Sequence, residues 1–183
     1  MYPGNVRDIA FTSSRDGGRT FDAPTRISED SWVLDGCPEN GPSLAVDAVG
    51  RIHVAWPTLI DSDRGEPALA LFYAMSHDGR AFTPRQSIPT DGVPRHVQIV
   101  AAPDGHLVAA WDEGSEGARR VVFARGAPQA SGVMRFTRVA NDRDSAATYP
   151  VLTTVGNDVL AAWTSGGAND SVIRVQRLLF SDR

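Results

Sequence analysis

The feature that most constrains this chain is a unit of strand, tight turn and strand that recurs three times and closes each time on a tryptophan. The unit occupies residues 42–56, 96–111 and 150–163. Its closing residues, Trp56, Trp111 and Trp163, stand 55 and then 52 residues apart (111 − 56 and 163 − 111). Each copy places a glycine (Gly50, Gly105, Gly156) and an Asp or Asn in the turn. Glycine supplies the positive φ that tight turns between strands require, and Asp or Asn tolerates it. A repeat of this length marks stacked supersecondary units, none of which buries both its faces alone.

The second half of each unit is a further strand pair. Residues 68–75 lead through a turn into 85–88, and residues 120–124 lead through a longer turn into 134–139. Near the start, 6–12 and 25–27 form the same pair without a first half, and 172–176 read as a third strand. No segment carries a sustained helical period. The expected fold is all-β: one partial β-propeller over 1–183, with about three to three and a half four-stranded blades. Its expected parts are a half blade at 1–30, blades at 40–89 and 94–140, and an incomplete blade at 148–183. Six or seven blades of roughly 45–55 residues each exceed the 183 residues present. Unpaired strands at both ends predict a homodimer formed through open blade edges.

Residues 14–21 read Ser-Arg-Asp-Gly-Gly-Arg-Thr-Phe and match the pattern S-x-D-G-G-x-T-F at every fixed position. Ser76, Asp78, Gly79 and Phe82 form a second copy, one residue shorter and without the threonine; at 125–130 the pattern is lost. On these residues and the blade period, the chain resembles the sialidase (neuraminidase)-like, BNR-repeat Asp-box β-propeller family. Such a turn must satisfy its own backbone donors. Ser14 and Asp16 can accept from amides a few residues on, and Gly17 and Gly18 permit backbone angles that a β-carbon penalises. Thr20 completes the pattern, and the ring of Phe21 is expected to tuck between sheets. These roles are structural, and the resemblance implies that Asp-boxes lie on the face away from any active site.

The opposite face carries two sets of loops, 28–41, 89–95 and 141–149, then 57–67, 112–118 and 164–170. Loops held on a rigid scaffold are where functional residues concentrate. Candidate ligand-binding residues there are Arg95, His96, Arg119, Arg64 and Trp32, the last standing outside the tryptophan register. Weak catalytic candidates are Asp112, Glu113 and Tyr149, with Glu39 and Glu66 nearby. Adjacent strand residues point to opposite faces, so only one of Asp112 and Glu113 can enter a pocket. The resemblance implies an arginine cluster for a substrate carboxylate, a tyrosine nucleophile activated by glutamate, and an aspartate acid/base. Fork-shaped guanidinium groups suit a carboxylate because they meet both oxygens at once. The F-R-I-P-like motif that supplies the family's first arginine is absent, and no catalytic position carries over residue by residue.

Composition narrows the remaining classes. With 18 basic and 22 acidic residues the formal charge is −4, and the cations are scattered, which excludes a nucleic-acid stripe. Cys37 is alone and has no base or co-ligand beside it, so it is read as a small loop residue. The four histidines lack metal-ligand spacing, so neither metal nor cofactor is expected. No apolar run approaches the ~20 residues of a membrane span, and residues 1–8 do not read as a signal peptide. The chain as given reads as cytoplasmic, or as secreted or periplasmic if it is a fragment. The leading functional expectation is a propeller that recognises a glycan or an acidic small ligand on its loop face, with hydrolysis unproven. The alternatives are a non-enzymatic protein-interaction scaffold, or an exo-sialidase or related glycoside hydrolase whose remaining catalytic residues lie outside this chain.

Overall fold

The computed structural model describes residues 2–34, 39–61, 66–115, 118–139 and 146–179. Its regular structure is strand throughout, apart from a 3-10 turn at Pro3–Asn5. The strands form four antiparallel sheets in chain order. The first is a two-residue ladder of β1 (Ala10–Phe11) and β2 (Thr25–Arg26). The second is β3 (Ser43–Val46), β4 (Ile52–Asp61), β5 (Pro67–Ser76) and β6 (Gln86–Ile88). The third is β7 (Val93–Ala101), β8 (Leu107–Ser115), β9 (Ala118–Pro128) and β10 (Met134–Val139). The fourth is β11 (Ala147–Val155), β12 (Asp158–Ser165) and β13 (Val172–Leu178). β7 packs against both β3 and β11, so the first strands of successive sheets are neighbours. That is the arrangement of blades around an axis, each leading with its innermost strand.

The tryptophan register explains the packing between sheets. Trp56 packs with Ile27 of the first sheet, Trp111 with Leu71, Tyr73 and Ile88 of the second, and Trp163 with Phe123 and Val108 of the third. Each ring therefore faces backwards, filling the gap to the preceding sheet. Truncating a buried aromatic of this kind to alanine costs about 3–5 kcal/mol, so three such rings dominate the inter-sheet energy. Strand alternation puts the other face of β12 forwards. The register Val151–Ala162–Val175 runs across the fourth sheet, and Val151, Ile173 and Val175 on that face are 54%, 70% and 69% exposed.

The strands differ in length from those the sequence predicts. β4 runs through Pro57 to Asp61, β8 through Asp112 and Glu113 to Ser115, and β12 to Ser165, where loops were expected. β3 stops pairing at Ser43–Ala55, so past Ala55 one edge of β4 is open and a proline is tolerated there. Phe21 is also a correction: its ring is 62% exposed rather than tucked between sheets. Its counterpart Phe82 packs edge-on against Phe11 of the preceding sheet, with centroids 5.7 Å apart. The described residues contain no sheet before β1 and β2 that would receive Phe21 in the same way.

Candidate functional site

Two innermost strands share an irregularity at the same place. In β7 the pairing slips between Arg95 and Gln98, and in β11 it slips between Thr148 and Val151. Each slip contains a non-glycine residue in the left-handed region, His96 with φ 51 and Tyr149 with φ 55. A β-carbon makes that conformation unfavourable, most of all for a bulky side chain, so it persists only where the surroundings enforce it. Bulges re-aim side chains, and they concentrate beside functional sites.

Here the two bulges bring four residues together. Asp112, fully buried on β8, accepts from His96 Nδ1 at 2.6 Å and from Arg119 Nε at 2.5 Å. Arg119 also donates to the carbonyls of Asp112 and Val93, at 2.8 and 3.2 Å. The backbone amide of Tyr149 donates to Asp112 Oδ1 at 3.4 Å, and the Tyr149 and His96 rings lie 4.2 Å apart. The amide of His96 is held in turn by Asn40 Oδ1 at 3.2 Å. An ionised carboxylate only accepts, so a neutral His96 carries its proton on Nδ1 and presents the Nε2 lone pair. Nε2 has no hydrogen-bond partner among the described residues, and neither does the exposed side chain of Arg95. Tyr149 is 60% exposed. The arrangement offers an imidazole nitrogen, a guanidinium and an aromatic ring, which suits hydrogen bonding to a hydroxyl, pairing with an anion and stacking.

The other sequence candidates distribute as follows. Arg119 acts through Asp112 and is committed to it. Glu113, one residue on, faces the opposite side and is also buried. It accepts from the Trp111 indole at 3.0 Å, from Arg120 at 3.0 Å and from Arg138 at 2.7 Å. Burial pushes its carboxyl up, but these bonds outweigh that effect and hold it at about 2. Glu113 thus clamps β8 to β9 and β10 through these bonds. Tyr149 touches Asp112 through its backbone, not its phenol, and no glutamate hydrogen-bonds to it among the described residues. Glu39 and Glu66 are exposed. Arg64 and Cys37 lie outside the described residues.

Trp32 is half-buried and belongs to none of the three core clusters. It lines a separate groove of about 590 Å³ with Leu59, Ile60, Asp61, Pro67 and Arg85. The turn at 14–21 closes on itself. Gly18 N donates to Ser14 Oγ at 2.8 Å, and the amides of Arg19 and Thr20 donate to Asp16 Oδ1 at 3.0 and 2.9 Å. The Thr20 hydroxyl donates to Asp16 Oδ2 at 2.7 Å. The Thr20 amide and hydroxyl lead the bonds that hold Asp16 at about 2, and Gly17 and Gly18 have φ 74 and 86. At the second turn Gly79 N donates to Ser76 Oγ at 2.8 Å, and Arg80 N donates to Asp78 Oδ1 at 2.9 Å. No group of metal-ligating side chains occurs among the described residues.

Two buried polar units escaped the sequence reading. Trp56 Nε1 donates to Asp30 Oδ2 at 2.7 Å, and Asp30 also pairs with Arg85. This repeats the Trp111–Glu113–Arg138 clamp, and the signal for both was that a buried indole N–H needs an acceptor. The second unit is His53, with Nδ1 at 2.8 Å from the Tyr73 hydroxyl and Nε2 at 3.2 Å from Asp47. Burial pushes His53 down and Tyr73 up, which favours the uncharged form of each.

No family model and no curated sequence matches the chain. Solved structures do. An intramolecular trans-sialidase from Ruminococcus gnavus superposes with a TM-score of 0.57 at 12% identity, over 92% of this chain and 37% of that one. An endo-arabinase from Bacteroides thetaiotaomicron gives 0.54 at 14% identity, over 96% of this chain and 66% of that one. A Trypanosoma rangeli sialidase mutant gives 0.52 at 12% identity, over 90% and 30%. The fold is that of a β-propeller. The likeness extends to sialidases and to an arabinase alike, so the sialidase-like form is one of several related propellers. This propeller segment spans about a third of the sialidase chains and two thirds of the arabinase chain. Among the described residues, no helix is long and apolar enough to cross a membrane.

Proposed function

We propose that this propeller segment binds a glycan or another small acidic ligand at the bulged ends of β7 and β11. The observation that carries this reading is the pair of left-handed residues, His96 and Tyr149, locked together over the buried carboxylate of Asp112. Arg95, exposed and without an ion-pair partner among the described residues, supplies the cation for an acidic group. The similar trans-sialidase was solved with oseltamivir carboxylate, and the other similar structures are named as a sialidase and an arabinase, which supports a sugar-derived ligand. The reading is recognition without turnover. Asp112, the acid of the cluster, already accepts from His96 and Arg119, and the first-arginine motif is missing.

Titration with N-acetylneuraminic acid, followed by calorimetry, tests the site. Binding is expected in the native chain, absent in Arg95→Ala and weakened in His96→Ala. A fluorogenic sialoside should remain uncleaved. Equal affinity in Arg95→Ala would remove the assignment, and turnover abolished by that variant would replace recognition with catalysis.

A second reading, self-association, has its own observation in the forward face of the fourth sheet. Val151, Ile173 and Val175 form an exposed apolar row there, where a propeller would place another blade. We propose a second copy as its partner.

A further inference from the structure

We infer that the groove beside Trp32 is a second ligand site, one that takes an uncharged oligosaccharide. Every other tryptophan of this chain sits in a core cluster, whereas Trp32 lies partly buried outside all three. Its backbone is nevertheless fixed by the neighbouring segment 6–8. The Trp32 amide donates to Asp8 Oδ1 at 3.2 Å, its carbonyl accepts from Arg7 N at 2.9 Å, and Val33 bridges to Val6. The Asp8 carboxylate is buried and paired with Arg26, and Ser31 next to the tryptophan takes φ 55. The result is a large aromatic surface held in place without help from the core, which limits the ordering cost when a ligand arrives.

The groove in front of it measures about 590 Å³. That falls within the range of small-molecule sites, roughly 300–1,000 Å³. Leu59, Ile60 and Pro67 extend the apolar surface of the indole. The polar groups decide the class of ligand. Asp30 and Arg85 neutralise each other, leaving Asp61, exposed and without an ion pair among the described residues, as the net charge of the described lining residues. A negative rim disfavours carboxylates, phosphates and sulfates over uncharged sugars here. A neutral sugar presents both complements: an apolar C–H face for the indole, and hydroxyl donors for the Asp61 carboxylate. Arg85 uses one guanidinium nitrogen on Asp30 and stacks its carbon over Phe72 at 4.2 Å, so its remaining N–H groups are donors for ring or hydroxyl oxygens. None of these residues belongs to the His96–Asp112 cluster.

The test is calorimetric titration of the native chain with maltotetraose, cellotetraose and α-1,5-arabinotetraose, read in parallel by tryptophan fluorescence. At least one of the three is expected to bind with a dissociation constant below about 10 mM, and Trp32→Ala to weaken it about tenfold or more. Trp32→Phe should retain most of the affinity, and Asp61→Asn should weaken it without altering the fold. Added salt should change the affinity little, because no net opposite charge is paired. Thermal unfolding of Trp32→Ala and of Trp32→Phe, read beside the titrations, separates lost binding from lost structure. Absence of binding by all three sugars, or equal affinity in a folded Trp32→Ala, overturns the proposal. The bulge site is tested with an acid and this groove with uncharged sugars, so either assignment can fail alone.

Discussion

Replacing Glu113 with glutamine keeps the shape of the Trp111 clamp and removes its charge. In the native chain the carboxylate is 1% exposed and receives the indole of Trp111 together with Arg120 and Arg138. Its pKa is held at about 2 against an ordinary 4.5. Each unit of that displacement is worth about 1.4 kcal/mol, so the folded state favours the charge by about 3 kcal/mol. Arg120 is half exposed and screened by water, which puts the expected loss on Glu113→Gln at about 2–3 kcal/mol at pH 7. The pH dependence makes the test specific. A carboxyl whose folded pKa is depressed contributes stability above its unfolded value, and that contribution fades as pH falls towards the folded value. The gap between native and variant chains should therefore be full at pH 7, begin to shrink below pH 4.5 and close as pH approaches 2. Urea unfolding followed by tryptophan fluorescence, repeated from pH 7 down to 3, measures it. A gap that does not change with pH, or no loss at pH 7, would refute the electrostatic reasoning.

Gly79→Ala should destabilise by about 1–3 kcal/mol in thermal or urea unfolding, because strain and overpacking act together there. Gly79 has φ 77, and an added β-carbon would lie 2.5 Å from the ring of Phe11. Phe21→Ala should change stability by less than about 0.5 kcal/mol given its 62% exposure, whereas Asp16→Ala removes the acceptor of two amides and two hydroxyls and should be the more damaging change in the same assay. Light scattering at micromolar concentration should show a dimer that Ile173→Lys with Val175→Lys dissociates; a clean monomer of 19.6 kDa in the native chain would dispose of self-association.

What could be read in advance was whatever the local chain dictates. The tryptophan register located the inter-sheet cores, and Gly50, Gly105 and Gly156 do take positive φ, at 84, 85 and 58. Strand ends could not be read, because Asp112 and Glu113 look like loop residues until their arginine partners, brought in from other strands and loops, make burial affordable. The same gap hid the geometry of the candidate site. Arg95, His96, Asp112 and Tyr149 were all candidates, but nothing local says that His96 and Tyr149 adopt left-handed angles in matching bulges, since that depends on the register of two separate sheets. Phe21 misled for the converse reason: its motif copy at Phe82 does pack, but only because Phe11 of the sheet before it is there to meet it.

The two tryptophan clamps differ in where their carboxylate comes from. Glu113 and Arg138 belong to the same sheet as Trp111, so that blade carries its counter-charges with it. Trp56 instead relies on Asp30, which lies on the segment linking the first sheet to the second. The blade of β7–β10 is consequently a portable module, one that duplication or transplantation would leave with its buried indole and carboxylate still paired. The blade of β3–β6, moved without residues 28–34, would carry a buried indole donor and Arg85 with no acid to meet them. Any recombination of this chain that respects its electrostatics must therefore cut ahead of Ser28 and not at the start of β3.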